Sequence, residues 1–201
     1  EDCRGRPLTG LTDADFVLRE DGATLSVEAS KRILPARGLT TFATLSLDVS
    51  SSTQSVLPQL VSAAKAFVQK LQVDRALQVP IGLELFAGMP QSVVREAPTL
   101  DTAKLLGRLD EVLTYRAPDQ SSTNLHGAVV EALSRLQQAQ TQYRNRNQGG
   151  AFSTGYVVLF TDGADTSGRT PLAQVVSQVN ASPDRVVAVA HAGTNSTIIA
   201  H

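Results

Sequence analysis

The chain has a single cysteine, Cys3, no tryptophan, one methionine and only 4% aromatic residues. One cysteine excludes an internal disulfide, a cysteine-built zinc cluster and a CxxC redox pair. Cys3 follows Glu1 and Asp2 rather than the small apolar residues that precede a lipid-modified cysteine, and it is given no role. An excess of charge of one sign is missing as well. The 18 Lys plus Arg against 19 Asp plus Glu leave a net charge of -1, with no basic footprint for nucleic acid or an anionic membrane. No apolar run approaches the ~18 residues that span a bilayer. No leader with charged, apolar and small-residue regions opens the chain, which predicts a soluble segment. Internal repeats are also lacking.

What is present is an ordinary globular composition, 42% hydrophobic and 18% charged over 201 residues, enough for one domain with a small appendage. Residues 15–29 place Asp21-Gly22 ahead of an alternation of Leu25, Val27 and Ala29 with polar neighbours, the pattern of a β-hairpin. An isolated hairpin is marginal in water, so residues 1–37 read as an appendage and residues 38–201 as the main domain. From Thr40 on, short apolar runs alternate with stretches of helical period.

The expected order is a strand at 41–48, then a helix burying Val56, Leu60, Ala64, Phe67 and Leu71, with Pro58 in its first turn. A strand at about 78–87 and a short extended piece at 92–95 follow. Thr99 is the expected cap of a helix carrying Leu105, Leu109 and Val112, and a further helix follows Thr123. The polar tract Gln137 to Gly150 is expected to fray that helix into an exposed loop. A strand at 155–161, a helix opened by Thr170-Pro171 and a last strand at 185–190 complete the series. Alternating strands and helices predict an α/β fold: a doubly wound, mostly parallel sheet with helices on both faces, joined by right-handed crossovers. In such sheets ligands bind beyond the carboxyl ends of the strands, where strand order reverses.

Three polar clusters fall at such ends: Asp48-Val49-Ser50-Ser51-Ser52 after the first strand, Ser121-Ser122-Thr123 before a helix, and Thr161-Asp162-Gly163 after a later strand. Asp48, Ser50, Ser52, Thr123 and Asp162 are all hard oxygen donors, which suit Mg²⁺ or Mn²⁺ and disfavour copper or zinc. Taken singly, each residue is explained by capping or turn formation. Their joint placement at one sheet edge is what makes a site. Asp165 and Ser51 receive no role.

With these motifs in order, roughly residues 40–192 resemble the von Willebrand factor A domain family. The match rests on Asp48-x-Ser50-x-Ser52 after an apolar strand, Thr123 in Ser-Thr-Asn-Leu-His-Gly-Ala, and Asp162-Gly163 after a second strand. The resemblance implies a metal-ion-dependent adhesion site holding one Mg²⁺ or Mn²⁺, with the hydroxyls of Ser50, Ser52 and Thr123 bound directly and Asp48 and Asp162 acting mainly through water. A neutral inner shell leaves the cation electrophilic toward a partner's Asp or Glu. Thr123 at a helix start is expected to add unpaired N–H groups that also favour an anion. The implied function is metal-dependent protein binding or adhesion, not catalysis.

Two other functions are weighed. A haloacid-dehalogenase-like phosphatase also ends a strand in a nucleophilic Asp, but wants a second acid two positions on, where this chain has Ser50. There is no P-loop and no Gly-x-Ser-x-Gly elbow. His126 and His191 have no Ser or Cys nucleophile placed beside them by sequence and read as satisfied imidazoles. The other alternative is an intracellular scaffold of the same fold. Leu11 to Gly22 resembles the β-rich segments preceding this domain in exported bacterial proteins, which favours an extracellular, cell-surface or periplasmic location by analogy. The family usually adds a strand or helix after the strand that here ends at His191, so the C-terminal part is expected to be incomplete or uncovered.

Overall fold

The computed structural model describes residues 15, 17, 19–24, 39–73, 78–147 and 152–190. The chain divides into two compact units, Glu1–Leu39 and Thr40–His201. In the first, β1 (Arg19–Glu20) and β2 (Ala23–Thr24) pair antiparallel, Arg19 facing Thr24 and Glu20 facing Ala23. Asp21 and Gly22 between them both have positive φ, 48° and 81°. That is the two-residue hairpin turn whose twist matches the strands, and Asp-Gly tolerates it better than most pairs. The alternation from Leu25 to Ala29 lies outside the described residues.

The second unit builds a five-stranded sheet in the order β5-β4-β3-β6-β7. Its strands are β3 (Leu39–Asp48), β4 (Ile81–Phe86), β5 (Val93–Thr99), β6 (Phe152–Thr161) and β7 (Arg185–Ala190). β3 pairs in parallel with β4, and β6 with β7. β5 runs antiparallel at the edge, where Pro98 costs no interior ladder bond. The extended piece expected at 92–95 is thus a full strand, prolonged through the proline because it lies on an edge.

The helices are α1 (Leu57–Val73), α2 (Thr102–Val112), α3 (Leu125–Arg146) and α4 (Leu172–Ala181). Side chains of β6 sort them into two layers. Val158 and Phe160 join Leu45, Leu47, Leu83 and Leu85 against α1 and α2, while Val157 and Leu159 join Phe42 and Phe86 against α3 and α4. This is the period-2 alternation of a strand covered on both faces. Pro58 does sit in the first turn of α1. The cap of α2 is Asp101, whose carboxylate accepts from the Lys104 N–H at 2.9 Å, rather than Thr99. Thr99 ends β5, and its hydroxyl accepts from the Asp101 N–H.

The tract from Gln137 does not fray at its start; α3 runs on to Arg146. Tertiary contacts override its polar composition. Gln140 is 3% exposed and donates to Asp184 at 2.7 Å, and the Tyr143 ring packs edge-on against Phe42. The helix can lie this close because Gly155 has no side chain. A Cβ there would stand 2.6 Å from Leu136 Cδ2 and Gln140 Nε2. Gly155→Ala is therefore expected to destabilise the fold by about 1–3 kcal/mol, read as a lower thermal midpoint.

Beneath α3 the sheet also carries a buried polar cluster. Glu84, 2% exposed, accepts from Ser46 at 3.1 Å and from Arg135 at 2.6 Å, and Arg135 also pairs with Glu131. Burial pushes the Glu84 carboxyl above its ordinary 4.5, while Arg135 and Ser46 pull it down. A carboxyl raised on folding binds more protons in the folded state. Its contribution to stability is thus full below the unfolded value and lost as pH rises through the folded one. Arg135→Met removes the compensation and raises the carboxyl further. Urea titrations are expected to show little loss near pH 4 and a loss growing to about 3 kcal/mol at neutral pH.

Candidate functional site

β3 and β6 are neighbours, and their carboxyl ends meet. The Thr161 hydroxyl donates to Asp48 Oδ2 at 2.7 Å, while the Ser50 N–H donates to Oδ1 at 2.9 Å. Asp48 is thereby fixed at both oxygens and is wholly buried. The Val49 N–H still reaches the Phe86 carbonyl at 2.8 Å, so the ladder continues one residue past the strand before the chain turns. Thr53 holds the turn. It is fully buried, and its hydroxyl contacts the carbonyls of Asp48 and Ser50 at 3.1 and 2.8 Å. A short 3-10 turn, Ser52–Ser55, then leads into α1.

The remaining donors follow in sequence. The hydroxyls of Ser50 and Ser52 are 3.1 Å apart, and the Ser52 hydroxyl donates to Asp162 Oδ1 at 3.2 Å. Thr123, 5% exposed, lines the same cleft of about 330 Å³ as Ser50, Ser52 and Asp162. Asp48 lies behind this lining. The five residues singled out in the sequence thus converge on one crevice at the carboxyl edge of the sheet, with Ser51 on its exposed rim.

Electrostatically the crevice is unbalanced. Burial is the largest influence raising the Asp48 carboxyl above its ordinary value, and repulsion from Asp162 adds to it; the hydrogen bonds from Ser50 and Thr161 oppose both. Among the described residues no lysine or arginine pairs with Asp48 or Asp162. Nor do those residues contain any group of three or more His, Cys, Asp or Glu able to hold a metal. The donor set is two carboxylates and three hydroxyls, all oxygen. That chemistry fits a hard divalent cation and does not fit a thiolate or imidazole site.

Sequence reasoning passed over the residues that hold the three loops together. The Ser51 N–H donates to the Gln120 carbonyl at 2.8 Å. The Thr123 N–H donates to the Thr166 hydroxyl at 2.8 Å, and the Thr123 carbonyl accepts from the N–H groups of Thr166 and Ser167. Asp165, given no role earlier, accepts from the His126 and Gly168 N–H groups at 2.9 and 2.8 Å. No sequence pattern marked it, because these partners are backbone groups, the His126 N–H lying 39 residues away in sequence.

One expectation is corrected. The first turn of α3 does not offer free amides at His126 and Gly127, because Asp165 takes the first and the capping Asn124 side chain the second. The negative charge favoured at this helix end is supplied internally. The His126 ring Nδ1 lies 2.9 Å from the Thr170 carbonyl, so its polar capacity is used, as expected; His191 lies outside the described residues.

Comparison with known proteins agrees with this architecture. Solved structures of similar fold include manganese-loaded TRAP protein from Plasmodium vivax, at 17% identity and TM-score 0.53, covering 75% of this chain and 57% of that one. An aerotolerance-related membrane protein from Bacteroides fragilis matches at 20% identity and TM-score 0.52, covering 74% and 66%. Proximal thread matrix protein 1 from the mussel byssus, with a zinc-occupied MIDAS motif, matches at 15% identity and TM-score 0.51, covering 76% and 36%. The matched region of this chain spans less than two thirds of each. No curated protein sequence matches. The family model described as von Willebrand factor type A domain matches residues 44–198. A mostly parallel sheet between two helical layers, with the motif loops at its carboxyl edge and most of the chain inside the family match, makes this chain a member of the von Willebrand factor type A domain family.

Proposed function

We propose that the crevice holds Mg²⁺ or Mn²⁺ through the hydroxyls of Ser50, Ser52 and Thr123, with Asp48 and Asp162 supplying the balancing negative charge. In this reading the domain is a metal-dependent protein-binding or adhesion module that grips an Asp or Glu side chain of a partner macromolecule. The observation that carries it is the pair of carboxylates linked through Ser50 and Ser52, with no basic side chain among the described residues paired to either. A bound cation supplies a positive charge that an incoming carboxylate can approach. That the Plasmodium vivax protein of similar fold is manganese-loaded and the byssus protein has a zinc-occupied MIDAS motif supports a divalent metal in this reading.

The chain's own residues do the remainder. Thr161 and the Ser50 N–H fix the Asp48 carboxylate, and Thr53 fixes the loop that aims Ser50 and Ser52. The exposed surface around the crevice is made of small side chains, Ser51, Ser121, Gly163 and Ala164, which leave room for another macromolecule. No helix among the described residues is long and apolar enough to cross a membrane. A cell-surface, extracellular or periplasmic setting belongs to the same proposal, supported by the likeness in fold to a membrane protein of Bacteroides fragilis and to a thread matrix protein of the mussel byssus.

Calorimetry with MnCl₂ and MgCl₂ tests the cation. Saturating metal is expected to stabilise the folded protein, by about 2.7 kcal/mol at a hundred times Kd. Thr123→Ala is expected to leave the metal-free thermal midpoint nearly unchanged and to lose most of that gain. Asp48→Ala is likewise expected to remove metal binding.

Capture of partners from surface extracts is expected in Mg²⁺ and lost in EDTA. Partner affinity unchanged by excess chelator would overturn the adhesion reading. Metal-dependent hydrolysis of an aryl phosphate, abolished by Asp48→Asn, would replace it with an enzymatic one.

A further inference from the structure

Thr166 does not belong to the five donors, yet it governs one of them. Both backbone polar groups of Thr123 are satisfied by the segment following β6: its N–H by the Thr166 hydroxyl at 2.8 Å, its carbonyl by the Thr166 and Ser167 N–H groups at 2.9 and 3.1 Å. That segment also carries Asp162, four residues earlier in the sequence. Two further ties reinforce the clasp. Asp165 Oδ2 accepts from the His126 N–H at 2.9 Å, and the Ser167 hydroxyl donates to Asn124 Oδ1 at 3.3 Å. The Asp165 side chain is 4% exposed, so its tie is shielded from solvent competition.

The clasp joins a strand-end loop to a helix start 43 residues away in sequence. We propose that Thr166 is a positioning residue of the cation site. Together with Asp165 it holds the Thr123 hydroxyl at a fixed place relative to Asp162, so that the site is assembled before a cation arrives. This rests on the metal reading above and assigns a role to residues that contribute no metal ligand. Thr166 is suited to it because one hydroxyl and one amide from the same residue engage both sides of Thr123.

The experiment is isothermal titration of MnCl₂ into the whole chain, at a temperature where every variant is folded, beside chemical denaturation without metal. Thr166→Val keeps the shape and removes the acceptor, and is expected to weaken Mn²⁺ binding about tenfold, the low end for residues that orient metal ligands. Thr166→Ser restores the hydroxyl and is expected to bind within about twofold of the native chain. Leu45→Ala, a core truncation remote from the crevice, is expected to lower stability and leave the Mn²⁺ affinity alone.

Should Thr166→Val fail to fold, Asp165→Asn reads the same clasp from its other tie, with a loss of roughly threefold expected. Native-like affinity in folded Thr166→Val or, where that variant does not fold, in Asp165→Asn, or an equal loss in Leu45→Ala, overturns the positioning role and leaves the metal reading intact. Absence of Mn²⁺ binding by the native chain instead overturns the metal reading, and the positioning role with it.

Discussion

A carboxylate with no exposed surface needs partners at each oxygen, and for Asp48 the fold supplies them from the end of β6 and from the turn after β3. The adjacency of β3 and β6 is what brings Thr161 within reach, and that adjacency is the point where the sheet's strand order reverses. Compensation by hydrogen bonds is incomplete, since burial and Asp162 still raise the carboxyl.

From that constraint the arrangement of the loops follows. The turn after β3 is tied to the loop before α3 through Ser51 and Gln120; that loop is tied to the segment after β6 through Thr123 and Thr166; and that segment returns to the first through Asp162 and Ser52. The three segments close a ring of hydrogen bonds. Their sequence separations make each closure entropically costly in the unfolded chain, but the sheet and α3 have already brought the ends together, so the ring adds definition at small additional cost. This is how preorganised sites are commonly built, with ligand side chains held by backbone and neighbouring hydroxyls.

Much of this could be read in the sequence. Apolar strands ending in Asp48 and Thr161 and helical periodicity between them led to a parallel α/β sheet, and the rule placing ligands at the carboxyl edge picked out the donors. The misreadings have a common cause. Gln140 and Tyr143 look like loop composition until Asp184 and Phe42 are seen across from them. Pro98 looks like a strand terminator until β5 is known to be an edge. Asp165 has no periodic or motif context, because its partner, the His126 amide, is a backbone group with no sequence signature. Long-range contacts decided each of these, and local pattern carries no record of them.

The composition of the crevice mouth bears on how any contact made there behaves in time. Around it stand serines, two threonines, a glutamine, an aspartate, glycine and alanine, with no aromatic ring and no long aliphatic chain among the described residues that line it. Such a mouth buries little hydrocarbon, so its grip depends on charge and on hydrogen bonding, both of which water and salt compete for. A single contact of that character forms and breaks readily; durable attachment then calls for many copies acting together, with avidity doing what one crevice does not.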